Sequence, residues 1–256
     1  MSAPSELLVL DRVSLHFGGL AAITDLSLSV REGEILAVIG PNGAGKTSML
    51  NLVTRVFDAS GGRILFRGRD ISRLPRAAIA SLGIARTFQN IELFEAASVL
   101  DNLLLGRHRF GAGAWWQQLL RTPGLVAIEE AHRARVEEVI EFLDLSPWRR
   151  ASVATLPYGV RKVVELGRAL CAEPALLFLD EPASGLNPEE TRDLGFWIED
   201  IRSELGITVV MIEHDMGLVG AVADRVICMA QGRVLAQGSA AEVQADPEVV
   251  AAYLGT

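Results

Sequence analysis

The spacing of hydrophobic residues changes several times along this chain, and each change marks a different element. Between residues 6 and 36 apolar and polar positions alternate, interrupted by Gly18-Gly19 and Glu32-Gly33. That pattern predicts an antiparallel sheet with tight turns. EILAVIG (34–40) loses the alternation and reads as a buried strand running into a glycine-rich loop, after which TSMLNLVTRVF (47–57) predicts a helix. Residues 92–172 look helical. Within them VEEVIEFL (136–143) puts Val136, Val139, Ile140 and Leu143 on one face, and Arg133 and Glu137 are spaced to pair on the other. Strand-length apolar runs return at ALLFLD (175–180) and ITVVMIEH (207–214), with a helix near 189–204 between them. The alternation predicts a parallel sheet with crossover helices. RVICMAQGRVLAQG (225–238) predicts a hairpin turning at Gln231-Gly232.

Half of the 256 residues are hydrophobic, ample for a packed α/β core. The net charge of −8 argues against a basic nucleic-acid footprint. Cys171 and Cys228 stand outside any metal-ligand or redox spacing and read as two buried free thiols in a reducing compartment. No apolar stretch approaches the roughly 18 residues of a membrane span, so any membrane role is expected from the water side.

The strand, glycine-rich loop and helix at 34–57 contain GPNGAGKT, which fits G-x-x-x-x-G-K-[ST]. In this phosphate-binding loop of Gly40, Pro41, Asn42, Gly43, Ala44 and Gly45, the glycines let backbone N–H groups approach phosphate oxygens. Lys46 is expected to reach the β- and γ-phosphates and Thr47 to ligate Mg²⁺, with Ser48 following in the first helical turn. LLFLDE (176–181) is an apolar strand ending in two carboxylates. Asp180 is placed to hold Mg²⁺ through water, and Glu181 to polarise an attacking water. A helix N-cap is the plainer reading of such an acidic pair. His214 ends the strand ITVVMIE, where it would face a ligand crevice or serve only structure. Phe17 offers either core packing or a stacking face for adenine.

P-loop, Gln89, helical insert, LPYGVRK (156–162), LLFLDE and His214 occur in the order of an ABC transporter nucleotide-binding domain, and the resemblance covers nearly the whole chain. It implies a P-loop NTPase (ABC ATPase) α/β core with an antiparallel β subdomain and an inserted helical subdomain at 92–172, all within one domain spanning 1–256. It also implies ATP and Mg²⁺ as cofactors. Phe17 then resembles the adenine-stacking aromatic, Gln89 the residue that senses Mg²⁺ and faces the membrane subunit, and His214 the switch histidine. Leu156, Pro157, Tyr158, Gly159 and Val160 resemble the signature motif, and Ser184 to Asn187 the D-loop.

GPNGAGKT, IARTFQNIELF, DEPASGLNP and the closing VVAAYLG resemble the ATPases of branched-chain (hydrophobic) amino acid uptake systems, as does the long segment 107–135. That resemblance implies membrane permeases, a second ATPase subunit, an extracytoplasmic binding protein acting indirectly, and a peripheral place on the cytoplasmic face of the inner membrane. A different ATPase as the second subunit is favoured, because the common signature LSGGQ reads LPYGV here. Pro157 has no hydroxyl to donate, Tyr158 replaces a glycine, and Asn187 stands where Asp is common. Trp115-Trp116 in the insert read as a local packing anchor or as a contact with permease or lipid headgroups. The alternatives are a lipid or lipopolysaccharide exporter ATPase and, in a different class, a soluble P-loop phosphotransferase.

Overall fold

The computed structural model describes residues 5–89, 91–110 and 123–254. Trp115 and Trp116 lie outside the described residues. The alternating segment forms β1 (Glu6–Phe17) and β2 (Leu20–Arg31), an antiparallel pair joined at Gly18-Gly19. The pairing shifts register between Leu10 and Val13, where Arg12 adopts φ 49°, and again between Val13 and Leu15, where Asp25 on β2 adopts φ 49°. Such a bulge strengthens the strand twist, letting twelve-residue strands wrap over the core. β4 (Gly61–Phe66) and β5 (Arg69–Asp70) complete a four-stranded sheet in the order β2-β1-β4-β5.

The unalternating runs form the interior of a second sheet. β3 (Ile35–Ile39), β6 (Ile84–Arg86), β7 (Leu176–Asp180), β8 (Thr208–Ile212), β9 (Arg225–Ala230) and β10 (Arg233–Gly238) are ordered β10-β9-β3-β8-β7-β6. All neighbours pair in parallel except the β9–β10 hairpin. Every residue of β3, β7 and β8 is buried, as strands covered on both faces must be. Their side chains divide by the two-residue period. Leu36, Val38, Phe178, Val210 and Ile212 pack towards the antiparallel sheet and α1 (Lys46–Val53). Ile35, Ala37, Leu177, Leu179, Val209 and Met211 pack towards the helices on the other side.

Those helices are α3 (Val99–Gly106), α4 (Pro123–Phe142), α5 (Tyr158–Leu170), α6 (Pro188–Ser203) and α7 (Met216–Val222), with α2 (Arg76–Ser81) before β6 and α8 (Ala240–Ala245) and α9 (Pro247–Leu254) closing the chain. Val136, Val139, Ile140 and Leu143 of α4 are all buried, as the periodicity predicts.

Two expectations need correction. The helix predicted over 47–57 ends at Val53, because Thr54 Oγ1 bonds back to the Leu50 carbonyl and Arg55 turns to φ 57°. The short strands β4, β5 and β6 and helix α2 had no periodic signal long enough to read. Glu137 pairs with Arg149, whose guanidinium straddles its carboxylate, rather than making its main pair with Arg133. A two-pronged guanidinium contact outweighs a helical pair in the weaker Arg-before-Glu order.

Candidate functional site

GPNGAGKT lies between the C-terminal end of β3 and the N-terminus of α1, the context expected of a phosphate-binding loop. Gly40 has φ 146°, and any Cβ there would collide with the Met229 carbonyl oxygen. Gly45, the N-cap of α1, has φ 99°, and a Cβ would stand 2.8 Å from Ile23 Cδ1. The glycines are thus set by close backbone approach as well as by φ. The loop is braced from outside. Gly232 N, in the β9–β10 turn, donates to Ala44 O at 3.0 Å, and Thr24 N of β2 donates to Gly232 O at 3.0 Å. No side chain caps α1, an arrangement that suits an anion at its N-terminus.

Lys46 Nζ donates to Gly40 O at 2.6 Å and Pro41 O at 3.1 Å, folding back over the loop. Burial lowers its pKa, opposed by the carboxylates of Glu181 and Asp180 across the site. Thr47 is exposed one residue on, and Ser48 is half-buried.

β7 brings in the two carboxylates. Asp180 is only 2% exposed; its Oδ2 accepts from an Arg86 guanidinium nitrogen at 2.7 Å, and a second Arg86 nitrogen donates to Asn51 Oδ1 at 2.6 Å. Burial raises the Asp180 pKa, and the Arg86 bond opposes that. Glu181 adopts φ 49°, its N–H donates to Ile212 O at 2.9 Å, and its Oε2 accepts from Gln89 Nε2 at 2.8 Å. The helix N-cap reading of the acidic pair does not apply, since the cap of the next helix is Asn187. His214 lies at the C-terminal end of β8 with its side chain 64% exposed, and its Nδ1 is 3.9 Å from the buried carboxylate of Glu213. Glu213 accepts from Ala183 N, His214 N and Asp215 N, and so fixes both strand ends that carry the acidic and histidine positions.

The remaining predicted positions form two other groups. Phe17 is half-exposed and meets Phe57 edge-on at 5.0 Å, on the sheet whose β2 abuts Gly45. Leu156 is buried, Pro157 is the extended N-cap of α5 at φ −53°, Tyr158 is exposed and Gly159 is buried in the first turn. Asn187 caps α6 in a capping box, accepting from Glu189 N and Glu190 N while Glu190 accepts from Asn187 N. An asparagine in place of aspartate therefore serves helix initiation directly.

Arg86, Glu165 and Lys162 carried no sequence signal. Glu165 is 2% exposed and accepts from Phe88 N at 3.2 Å, and burial raises its pKa. Lys162 Nζ lies 3.4 Å from the Gln89 carbonyl and 3.5 Å from that of Glu181. Each is a charge on a helix or strand whose role depends on what packs across from it. The thiols are inert, with Cys171 pushed by burial up to about 12.

Residues 23–184 match the family model described as ABC transporter. The chain belongs to the ABC transporter family. Residues 233–256 of this ABC protein also match the model described as branched-chain amino acid ATP-binding cassette transporter. It is 38% identical over 255 residues to the high-affinity branched-chain amino acid transport ATP-binding protein LivG of Salmonella typhimurium, covering 100% of this chain and 99% of the relative. The corresponding BraF protein of Pseudomonas aeruginosa gives the same identity and coverage. A crystal structure of a nucleotide-free ATP-binding cassette from an ABC transporter superposes with a TM-score of 0.86 at 31% identity, covering 98% of this chain and 100% of that one. The same values hold for an ABC cassette in its ADP conformation. The ABC ATPase fold is therefore the one the sequence predicts, and the activity is ATP hydrolysis coupled to transport.

Proposed function

We propose that this ABC subunit powers the uptake of branched-chain or chemically related amino acids, acting from the cytoplasmic face of the inner membrane on separate permease subunits. The observation that carries this is the joint match of the ABC core and the C-terminal branched-chain segment with full-length likeness to LivG and BraF. Among the described residues no helix is long and apolar enough to cross a membrane, so the permease is a separate requirement. An extracytoplasmic binding protein would deliver the solute.

The site geometry supports a role for each residue. Phe17 offers adenine an aromatic face, and the 40–45 loop with Ser48 surrounds the phosphates. Lys46 exchanges two loop carbonyls for β/γ-phosphate oxygens. Thr47, Asp180 and the Gln89 amide form an oxygen-donor set suited to Mg²⁺, which supplies charge neutralisation at the phosphates when bound. Arg86 occupies Oδ2 of Asp180 and holds the carboxylate in place. Glu181, held by Gln89, accepts the proton of the attacking water, and His214 stands at the neighbouring strand end. Two subunits would face each other, each lending Leu156, Pro157, Tyr158 and Gly159 to the other's nucleotide. The segment 92–172 acts as the helical subdomain that presents this signature.

An open groove runs between α2, β6 and α3, bordered by Ile79, Phe88, Phe94, Leu105 and Arg168. Its apolar border beside Gln89 is the surface on which a permease segment would dock. Phe94 is 63% exposed at its edge, whereas Leu93 is partly buried against the core. Phe94→Ser should therefore lower transport about tenfold while nucleotide affinity stays unchanged. The reconstituted complex, given leucine, isoleucine or valine with the cognate binding protein, checks both points. Absence of ATP-driven uptake of any of the three, with the complex assembled, would reject the substrate assignment.

The signature also favours an asymmetric pair. A hydrogen bond to a charged group contributes roughly 1.5–3 kcal/mol, and Pro157 lacks the hydroxyl to supply one. Pro157→Ser should accelerate about tenfold the site built on the partner's P-loop, and leave the site using Lys46 alone. Single-site turnover in complexes with one P-loop inactivated distinguishes the two; equal rates at both sites before and after substitution would contradict the asymmetry.

A further inference from the structure

We propose that the signature turn and the loop Ser184–Asn187 of one chain are interlocked by two reciprocal side-chain-on-glycine contacts, with Tyr158 as a positioning residue that carries the state of the facing nucleotide site to this chain's own Glu181. The inference rests on the paired-subunit reading above.

The first contact is Tyr158 on Gly185. A Cβ added at Gly185 would stand 2.8 Å from Tyr158 Cε1 and 3.3 Å from Cζ, so the ring lies against the bare backbone. Tyr158 Oη also donates to Ser184 O at 3.4 Å. Gly185 has φ 81°, which adds a second reason for glycine there. The second contact runs the other way. A Cβ at Gly159 would overlap Glu190 Oε1. The same carboxylate accepts from Asn187 N at 2.9 Å through Oε2, closing the cap of α6. The glycine of the signature turn thus makes room for the side chain that ends the 184–187 loop, and the glycine of that loop makes room for the side chain that begins the signature helix.

The interlock extends to the catalytic carboxylate through covalent and polar links. Ser184 N donates to Glu181 O at 3.1 Å. Lys162, one turn along α5 from Tyr158, has its Nζ 6.0 Å from the Tyr158 ring centroid and 3.5 Å from Glu181 O. A displacement of the signature turn by a nucleotide on the facing subunit therefore shifts the backbone that holds Glu181. Tyrosine at the position where the common signature has glycine then has a specific consequence: a glycine there leaves Gly185 without a cover and breaks the first contact. Tyr158 is 48% exposed, so its loss removes little core packing.

Hydrogen exchange on the isolated subunit tests the interlock without any partner. In Tyr158→Ala the amides of Ser184 and Leu186 should exchange about tenfold faster, while those of residues 40–47 keep their rates. Tyr158→Phe, which retains the ring, should restore slow exchange. Unchanged exchange in Tyr158→Ala overturns the proposal.

A second arm uses the Glu181→Gln background and reads ATP-driven pairing by sedimentation. Tyr158→Ala and Gly185→Ala should each weaken pairing about tenfold, and the double variant no more than either single one, because contacting residues are non-additive. Additive losses in the double variant would overturn the interlock. Failure of the parent Glu181→Gln protein to pair would count against the paired-subunit reading, and the exchange arm would still decide whether the contact orders the loop.

Discussion

Lys46→Ala should lower ATP affinity by about a hundredfold. Lys46 is in direct contact with the 40–45 loop, and its Nζ holds two loop carbonyls that a phosphate would displace. A charge-assisted bond contributes up to about 3 kcal/mol, which is more than a hundredfold in binding. Removal also takes away a positive charge that faces the Glu181 and Asp180 carboxylates across the site, adding repulsion to the lost attraction. The side chain is half-exposed, so the variant should melt within a few degrees of the parent. Calorimetric titration with Mg-ATP, alongside thermal unfolding, separates the effects. Affinity within threefold of the parent would refute the assignment of this loop as the phosphate site.

Glu181→Gln should reduce turnover by about 10²–10⁴-fold while leaving ATP affinity nearly unchanged, the range expected for loss of a positioned general base. The amide keeps the volume and the unusual φ 49° backbone, and its oxygen can still accept from Gln89 Nε2. What disappears is an oxygen basic enough to take the water proton. Slow hydrolysis lets the nucleotide persist between two subunits, so ATP should convert monomer to a pair on sizing and ADP should not. Turnover within tenfold of the parent would move the base to another residue, with His214 the next candidate at the adjoining strand end.

Several elements were legible from one dimension. GPNGAGKT between a buried strand and a helix needs glycines at fixed offsets, and those offsets survive any change in the surrounding fold. The apolar runs of β3, β7 and β8 lack alternation because both faces are covered, so burial is written into composition. The i, i+3, i+4 spacing of Val136, Val139, Ile140 and Leu143 encodes the buried face of α4 for the same reason. In each case the physical cause acts within about ten residues.

Arg86 on Asp180, Gln89 on Glu181 and Tyr158 on Gly185 span 94, 92 and 27 positions of sequence respectively, and no local pattern connects their members. Nor could spacing foresee that Glu137 would take Arg149, which the following turn delivers in two-pronged geometry. The sequence by itself determined the phosphate loop, the strand and helix periods and the membership of an ABC ATPase, because these depend on near neighbours and on motif order. The tertiary structure alone decided which charge neutralises Asp180, what orients Glu181 and what Tyr158 lies against. Those depend on which strand ends and helix turns the parallel sheet brings within hydrogen-bonding distance, and a low-dielectric interior then forces each buried charge to find its partner there.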